Sequence, residues 1–579
     1  MPDDLYRFIH SGSDVADFTA WCEGQRYITI DTETTSLDYH HPDFRVRLIQ
    51  VGNRNQAWLA RLPEWPGLFN HVFQNFPGRL VIHNASFDVP SLARHDVDVP
   101  WRKIDDTMLA LRILQPNQPS KLKPASRRLL GGDGGGEQAL KLAMKKQKWR
   151  WEDIPLDYEP FLYYAALDVI LASRIYELDA VQKIVASSVF DLEMDVRAIC
   201  SRMEANGMRI DREFTAEKFA ELRSESDRLK LSYHGIVSLT STDELGRWFI
   251  SNTERGLLTK KTRGGRVAVD KDVLERVAAY GDRDSANVAK AVLRVRKIDK
   301  MASAYFSNFL GYLHEGVVHP SINTMAARTS RMSISNPALQ TLPKPSSDPD
   351  SRMVRRAIIP LREGEVMLSA DMDQIELRIA ASLAEDRALA EAFSEGDFFL
   401  KATRDIYGDP AIIKTDDRRQ VIKTFFYSFL YGAGVETMSI RAGIPVARMA
   451  EVKALVSRSY PGLSRMAKRI EREARNSGGV MTLGGRFLPV DPHVLYAGTN
   501  YVIQASAAEF LKRSLVALAS AGFEDYLLAP VHDEVVFSIP EGDVEEASHA
   551  IIASMESREL MVPLTASING PGKTWADLT

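Results

Sequence analysis

Residues 526–540 read YLLAPVHDEVVFSIP, two apolar, proline-punctuated runs on either side of His532, Asp533 and Glu534. The β-branched and aromatic flanks predict two short strands around a tight turn. Ionisable side chains in such a stretch are costly unless the turn exists to present them. A partner carboxylate is supplied by VMLSADMDQIELRIAASLAED at 366–386, which reads as a strand ending near Asp371, followed by a helix with Ile375, Ile379 and Leu383 on one side. If the two strands are neighbours in one sheet, Asp371 and Asp533 meet as oxygen ligands suited to hard divalent ions. Taken separately, each reads equally well as a turn or cap aspartate.

The segment TDDRRQVIKTFFYSFLYGAG at 415–434 predicts a helix with Thr415 as N-cap, Asp416 and Asp417 at its positive end and Gly432 as its stop. Val421, Phe425 and Phe429, beside Ile422, Phe426 and Leu430, form a broad apolar face. Arg419, Lys423, Tyr427 and Tyr431 recur at spacing four along the neighbouring arc. Two cations offer charge-assisted donors for a phosphate chain, and two phenols offer flat surfaces for a base. An amphipathic surface helix explains the same spacing less specifically.

At the other end of the chain, ITIDTETTSL (28–37) carries Asp31 and Glu33 two apart on an apolar strand, so both point to one face. VIHNASFD places Asp88 beyond another apolar strand, and YYAALD puts Tyr164 and Asp168 on one helix face. Such an oxygen-only donor set suits magnesium or manganese rather than zinc. Two ions of that kind activate water and stabilise the leaving oxygen of a phosphodiester.

The 579 residues exceed what one core supports, and 45% apolar with 26% charged residues is ordinary globular composition. Cys22 and Cys200 are too few for a disulfide framework or a thiolate zinc site. The acidic N-terminus lacks an apolar export signal, and no window reaches about 18 uninterrupted apolar residues. A net charge of −4 gives no global basic signature, so nucleic-acid binding has to use local patches. KLKPASRR (121–128), KKQKWR (145–150) and LRVRKIDK (293–300) are candidates, and each is also explained as a solvated helix face. The first 115 residues alternate strand-like and helical patterns, the glycine-rich LLGGDGGGEQ (129–138) reads as a loop, and a helix from about 160 to 185 follows. Beyond Phe190 the pattern is helical and charged to about 315, then mixed.

Taken together, the N-terminal motifs resemble 3′-5′ proofreading exonucleases of the DnaQ-like group, and the remainder resembles family A DNA polymerases. DMDQIELR (371–378) is similar to motif A, RQVIKTFFYSFLYG (419–432) to motif B and VHDEVV (531–536) to motif C. TSRMSISNPALQTLP, MTLGGRFLP and NYVIQASAAEFLK resemble the stretches around them, in the same order. The resemblance implies an α/β and α+β multidomain chain. A ribonuclease H-like exonuclease domain at 1–189 is followed by a right-hand polymerase: thumb and start of palm at 190–345, palm with motif A at 346–400, fingers with motif B at 401–495, and palm with motif C at 496–579.

Residue by residue, the resemblance implies that Asp31, Glu33, Asp88 and Asp168 hold metal, that Tyr164 orients the attacking water, and that Leu37 wedges against the terminal base. Asp371 and Asp533 are expected to hold two magnesium ions, with manganese as a substitute, and Glu534 to support them. Arg419, Lys423, Tyr427, Tyr431, Gln374 and His532 are expected at the nucleotide, with Lys423 protonating the leaving group and His532 also near the primer end. Glu376 is expected to exclude the ribose 2′-hydroxyl, and Arg331, Asn500 and Gln504 to touch the minor groove of the primer-template. Thr35, Ser86, Met372, Asp373, Ser428 and Tyr496 depart from the common pattern without removing an expected metal ligand.

The implied function is template-directed DNA synthesis with proofreading. The alternative is a DNA-binding 3′-5′ exonuclease with weak or absent polymerase activity. The implied partners are primer-template DNA and deoxynucleoside triphosphates, with replication accessory proteins possible and a monomer as the family expectation. The absence of an N-terminal 5′ nuclease, together with Tyr427, points to a phage replicative enzyme in the cytoplasm.

Overall fold

A computed structural model describes residues 5–132, 136–262, 264–342 and 349–578. The centre of the glycine-rich loop and Arg263 lie outside the described residues. The N-terminal unit is built on a mixed sheet of six strands, in spatial order Tyr6–Phe8, Ala57–Arg61, Val46–Gly52, Tyr27–Thr34, Arg79–Ile82 and Ile104–Asp106. Tyr27–Thr34 is a central strand, antiparallel to Val46–Gly52 and parallel to Arg79–Ile82. Its apolar residues Ile28 and Ile30 are fully buried, and that burial fixes the register and therefore the side on which Asp31 and Glu33 emerge. Helix Glu159–Tyr176 packs across this sheet. It ends before Leu178, and a second helix, Asp179–Val185, replaces the single continuous one expected from the sequence.

Farther along, helices Arg212–Ser232, Lys271–Tyr280 and Arg283–Lys300 enclose a small apolar cluster containing Phe249, Leu274 and Val292. The C-terminal sheet is wholly antiparallel, in the order Leu527–Val531, Glu534–Pro540, Glu365–Met372 and Ala566–Gly572. The two carboxylate-bearing strands are the central pair. Asp371 pairs with Glu534, and the Met372 N–H donates to the Asp533 carbonyl at 3.1 Å.

Helix Ser188–Asn206 belongs to two cores. Val189, Phe190 and Met194 complete the core of the N-terminal unit, while Val196, Ile199, Cys200 and Met203 belong to that of the C-terminal unit. The expected domain boundary at 189 falls inside this helix. In its second turn Glu193 is fully buried, and its Oε1 accepts from Arg486, from Lys512 Nζ at 2.6 Å and from Ser330 Oγ at 3.3 Å. Arg486 also reaches Glu509 at 3.3 Å, so two anions and two cations neutralise one another away from water. Removing one member of a buried set strands the others. Lys512→Met is expected to cost about 3–5 kcal/mol, read as a lower denaturant midpoint for the C-terminal unit, with Lys512→Arg recovering much of the loss. An unchanged midpoint in the Met variant contradicts this account.

Candidate active sites

In the N-terminal unit, strand Tyr27–Thr34 delivers Asp31 and Glu33, and helix Glu159–Tyr176 delivers Asp168. One carboxylate oxygen from each lies within 4.8 Å of the others. Among the described residues this is the group of three or more potential ligands whose donor atoms come that close together. Asp88, on helix Ala85–Ala93, stands beside it, with its carboxylate accepting from Thr32 Oγ1 at 2.6 Å. Tyr164 lies one helical turn before Asp168 and packs edge-on against Trp151. Leu37 is 84% exposed on the rim of a cavity of about 530 Å³ that is also lined by Asn84 and Phe87.

Burial raises these acids, and they raise one another. Asp31 lies well above the carboxylate range through burial and then through Asp88, Asp168 and Glu33, with Lys123 opposing. Burial and Asp168 push Glu33 from 4.5 up to about 8, and burial takes Asp88 from 3.8 to about 7 against the Thr32 hydrogen bond. Asp168 is also raised by burial, while Lys123 pulls it down. Because folded pKa values stand above unfolded ones, the metal-free fold binds protons that the unfolded chain has already lost, and stability falls as pH climbs through that window. In EDTA, the melting temperature of the N-terminal unit is expected to fall as pH rises from 4.5 to about 8. Magnesium is expected to flatten the slope, since a divalent ion offsets the repulsion directly. Calorimetry with and without metal checks this, and a flat profile in EDTA contradicts it.

In the C-terminal unit, His532 adopts φ +58° and turns the chain between Val531 and Glu534, leaving Asp533 at the tip. Asp371 is the penultimate residue of the adjacent strand, and Gln374, at φ +49°, redirects the chain into helix Ile375–Ala384. Glu376, on the first turn of that helix, is buried and ion-paired with Arg331. Burial raises the Glu376 carboxyl, Arg331 opposes, and Asp533 adds to the rise. Helix Asp417–Leu430 faces this group: burial raises the Tyr427 hydroxyl, with Glu376, Asp533, Tyr431 and Asp371 each contributing. The tyrosine end of the helix edge therefore lies close to these carboxylates. Gly432 ends the helix at φ +68°, where an added Cβ meets the Tyr496 ring at 2.9 Å.

The structure also shows partners that the sequence reading missed. Arg419 is held by Asp397 at 2.8 Å, and Phe399 lies under both Arg419 and Lys423, with its ring 5.9 Å and 5.7 Å away. Asp397 is also the N-cap of helix Phe398–Tyr407, its carboxylate accepting from the Leu400 N–H at 3.1 Å. His532 meets the Gln340 carbonyl at 3.1 Å, and with Arg331 and Asp533 it lines a cavity of about 190 Å³. Asn500 donates to the Leu430 carbonyl at 3.2 Å, and Gln504 accepts from Thr329 at 3.4 Å.

One further expectation is corrected. The N-cap of the Arg419 helix is Asp416, whose carboxylate accepts from the Arg418 N–H, and not Thr415. In the LRVRKIDK run, Arg294 pairs with Glu225 at 2.7 Å and Lys297 with Asp350 at 2.7 Å, so much of that charge is neutralised within the chain.

Family comparison fixes the class. Residues 211–577 match DNA polymerase family A and residues 6–178 match a 3′-5′ exonuclease family, so the chain belongs to the family A DNA polymerases and carries a 3′-5′ exonuclease domain. Within that class it is similar to phage enzymes. It is 30% identical over 541 residues to the DNA polymerase of Mycobacterium phage D29, covering 89% of this chain and 87% of the phage protein. The DNA polymerase of Mycobacterium phage L5 is 30% identical over 545 residues, covering 90% and 88%. DNA polymerase I of Streptococcus pneumoniae is 29% identical over 414 residues, covering 67% of this chain and 46% of that protein. The polymerase domain of Pol1 from M. smegmatis, solved with DNA primer-template and dNTP, shares the fold at a TM-score of 0.79 and 20% identity, covering 99% of this chain and 100% of that one. No helix among the described residues is long and apolar enough to cross a membrane.

Proposed function

We propose that this polymerase replicates phage DNA by extending a primer on a template, and that its N-terminal unit removes misincorporated 3′ ends. The observation that carries the reading is the pairing of the Asp371 strand with the Asp533 hairpin, with Tyr427 of the neighbouring helix close to both carboxylates. Two magnesium ions, with manganese as a substitute, fit the oxygen-only donors Asp371 and Asp533, and when bound they supply charge neutralisation of the triphosphate and activation of the primer hydroxyl.

Around them, Arg419 and Lys423 hold the triphosphate, with Lys423 placed to give a proton to the departing pyrophosphate. Tyr427 and Tyr431 stack on the incoming base, Gln374 borders the pocket, and Glu376 excludes a ribose 2′-hydroxyl. Glu534 supports the carboxylate pair through its strand register with Asp371. Arg331, Asn500 and Gln504 contact the primer-template minor groove, where every correct pair shows similar acceptors. His532 contacts the primer end once it releases Gln340.

In the nuclease unit, Asp31, Glu33, Asp88 and Asp168 provide the metal cage, Tyr164 orients water, and Leu37 wedges the frayed base. A second hydrolytic site is needed because contacts alone separate a right pair from a wrong one by only about 10- to 200-fold. The partners are primer-template DNA and deoxynucleotides, and the enzyme acts as a monomer in the cytoplasm of a bacterial host. Primer extension with magnesium and four deoxynucleotides tests the reading. A wild-type protein that only shortens primers at saturating nucleotide overturns it in favour of a nuclease that merely binds DNA.

A further inference from the structure

One buried cation sits among the nuclease carboxylates. Lys123, in the first turn of helix Leu122–Leu130, is 8% exposed, and its Nζ forms an ion pair with Asp168 Oδ1. The same ammonium lies 4.2 Å from the centre of the Tyr164 ring. It opposes the mutual repulsion of Asp31, Glu33 and Asp168. Arg47 faces Glu33 as well, but its guanidinium is tied to the carbonyls of Trp151 and Ile154. Lys123 thus bonds directly to a carboxylate of the group that can hold a metal ion.

We propose that Lys123 is a tethered competitor of the nuclease's metal ions, holding Asp168 when the cage is empty and leaving it when the cage fills. The inference rests on the proofreading reading above. Glu33, Asp88 and Asp168 are buried and Asp31 is partly buried, and without metal their charged forms repel one another, a repulsion that one ammonium partly offsets. Once divalent ions enter, that ammonium is a like charge at close range and is driven off Asp168. The Tyr164 ring, which already flanks the ammonium, can retain it as it leaves Asp168, since an aromatic face attracts a cation. A tethered group competes at a high effective concentration, so excision needs more free metal than an open cage requires. The ratio of editing to synthesis then rises with divalent-ion concentration.

The experiment compares wild type, Lys123→Met and Lys123→Arg as full-length proteins. Binding of Mn²⁺ is counted by electron paramagnetic resonance, and thermal unfolding is followed in EDTA and in saturating Mn²⁺. Lys123→Met is expected to lower the half-saturating Mn²⁺ concentration of the nuclease site by about tenfold, and Lys123→Arg to leave it near wild type. Lys123→Met is also expected to lower the melting temperature in EDTA but not in saturating Mn²⁺, because the loaded wild-type cage no longer uses the lysine. Unchanged or weaker Mn²⁺ binding by the Met variant overturns the proposal. So does an equal loss of stability in both conditions, which marks a purely structural ion pair and is readable even in a weakened fold. The parent reading fails differently: Asp31→Ala then leaves Mn²⁺ stoichiometry unchanged.

Discussion

Asp533→Ala is expected to lower primer extension by about three orders of magnitude or more while leaving excision of a mismatched 3′ end intact. The carboxylate sits at the tip of a two-residue turn, and the hydrogen bond that seats the turn on the neighbouring strand runs from the Met372 N–H to the Asp533 backbone carbonyl, which alanine retains. The substitution also removes one of the charges that raise Glu376, so it relieves repulsion inside the cleft. The hairpin therefore keeps its register, and the loss falls on chemistry rather than on folding. A single-nucleotide extension assay at saturating substrate separates rate from binding. Extension within tenfold of wild type removes Asp533 from the proposed site.

Asp31→Ala is expected to reduce excision by about three orders of magnitude and to spare extension. Its effect on stability should run opposite to its effect on activity. Asp31 is raised by Asp88, Asp168 and Glu33 together, so deleting it eases repulsion among the carboxylates that remain. In EDTA the variant should melt at or above the wild-type temperature, while mismatched primers persist through synthesis. Excision at the wild-type rate withdraws the nuclease role of the cluster. This pairing of higher metal-free stability with lost activity is the signature of a site held strained for function.

The carboxylates could be read from the sequence because their spacing is local. Asp31 and Glu33 follow the period of a strand, Tyr164 and Asp168 the turn of a helix, and the structure keeps each pair on one face. The approach of Asp371 to Asp533 depended on two strands being neighbours, which the sequence could pose only as a condition, and the observed register meets it. Charge runs were the weakest guide, since a run does not say which of its members turns inward. KLKPASRR contains Lys123, buried against Asp168, and LRVRKIDK contains Arg294, bound to Glu225 and Asp350. Both outcomes depend on residues far away in the chain. The cap at Asp416 instead of Thr415 reflects adjacent residues that can all cap a helix, with backbone geometry choosing among them.

The helix Ser188–Asn206 has a consequence for how such enzymes are inherited and re-engineered. Its first turns complete the interior under the nuclease sheet, and its later turns complete that of the synthetic half. A gene fusion or module exchange at this junction must therefore match two apolar interiors at once, along with the buried Glu193 contacts that bridge them. Point substitution at Asp31 is expected to silence editing without disturbing this shared timber, whereas trimming the nuclease away leaves Val189, Phe190 and Met194 facing water. Lineages that lose proofreading have a simpler route in letting its carboxylates decay than in discarding the domain that carries them.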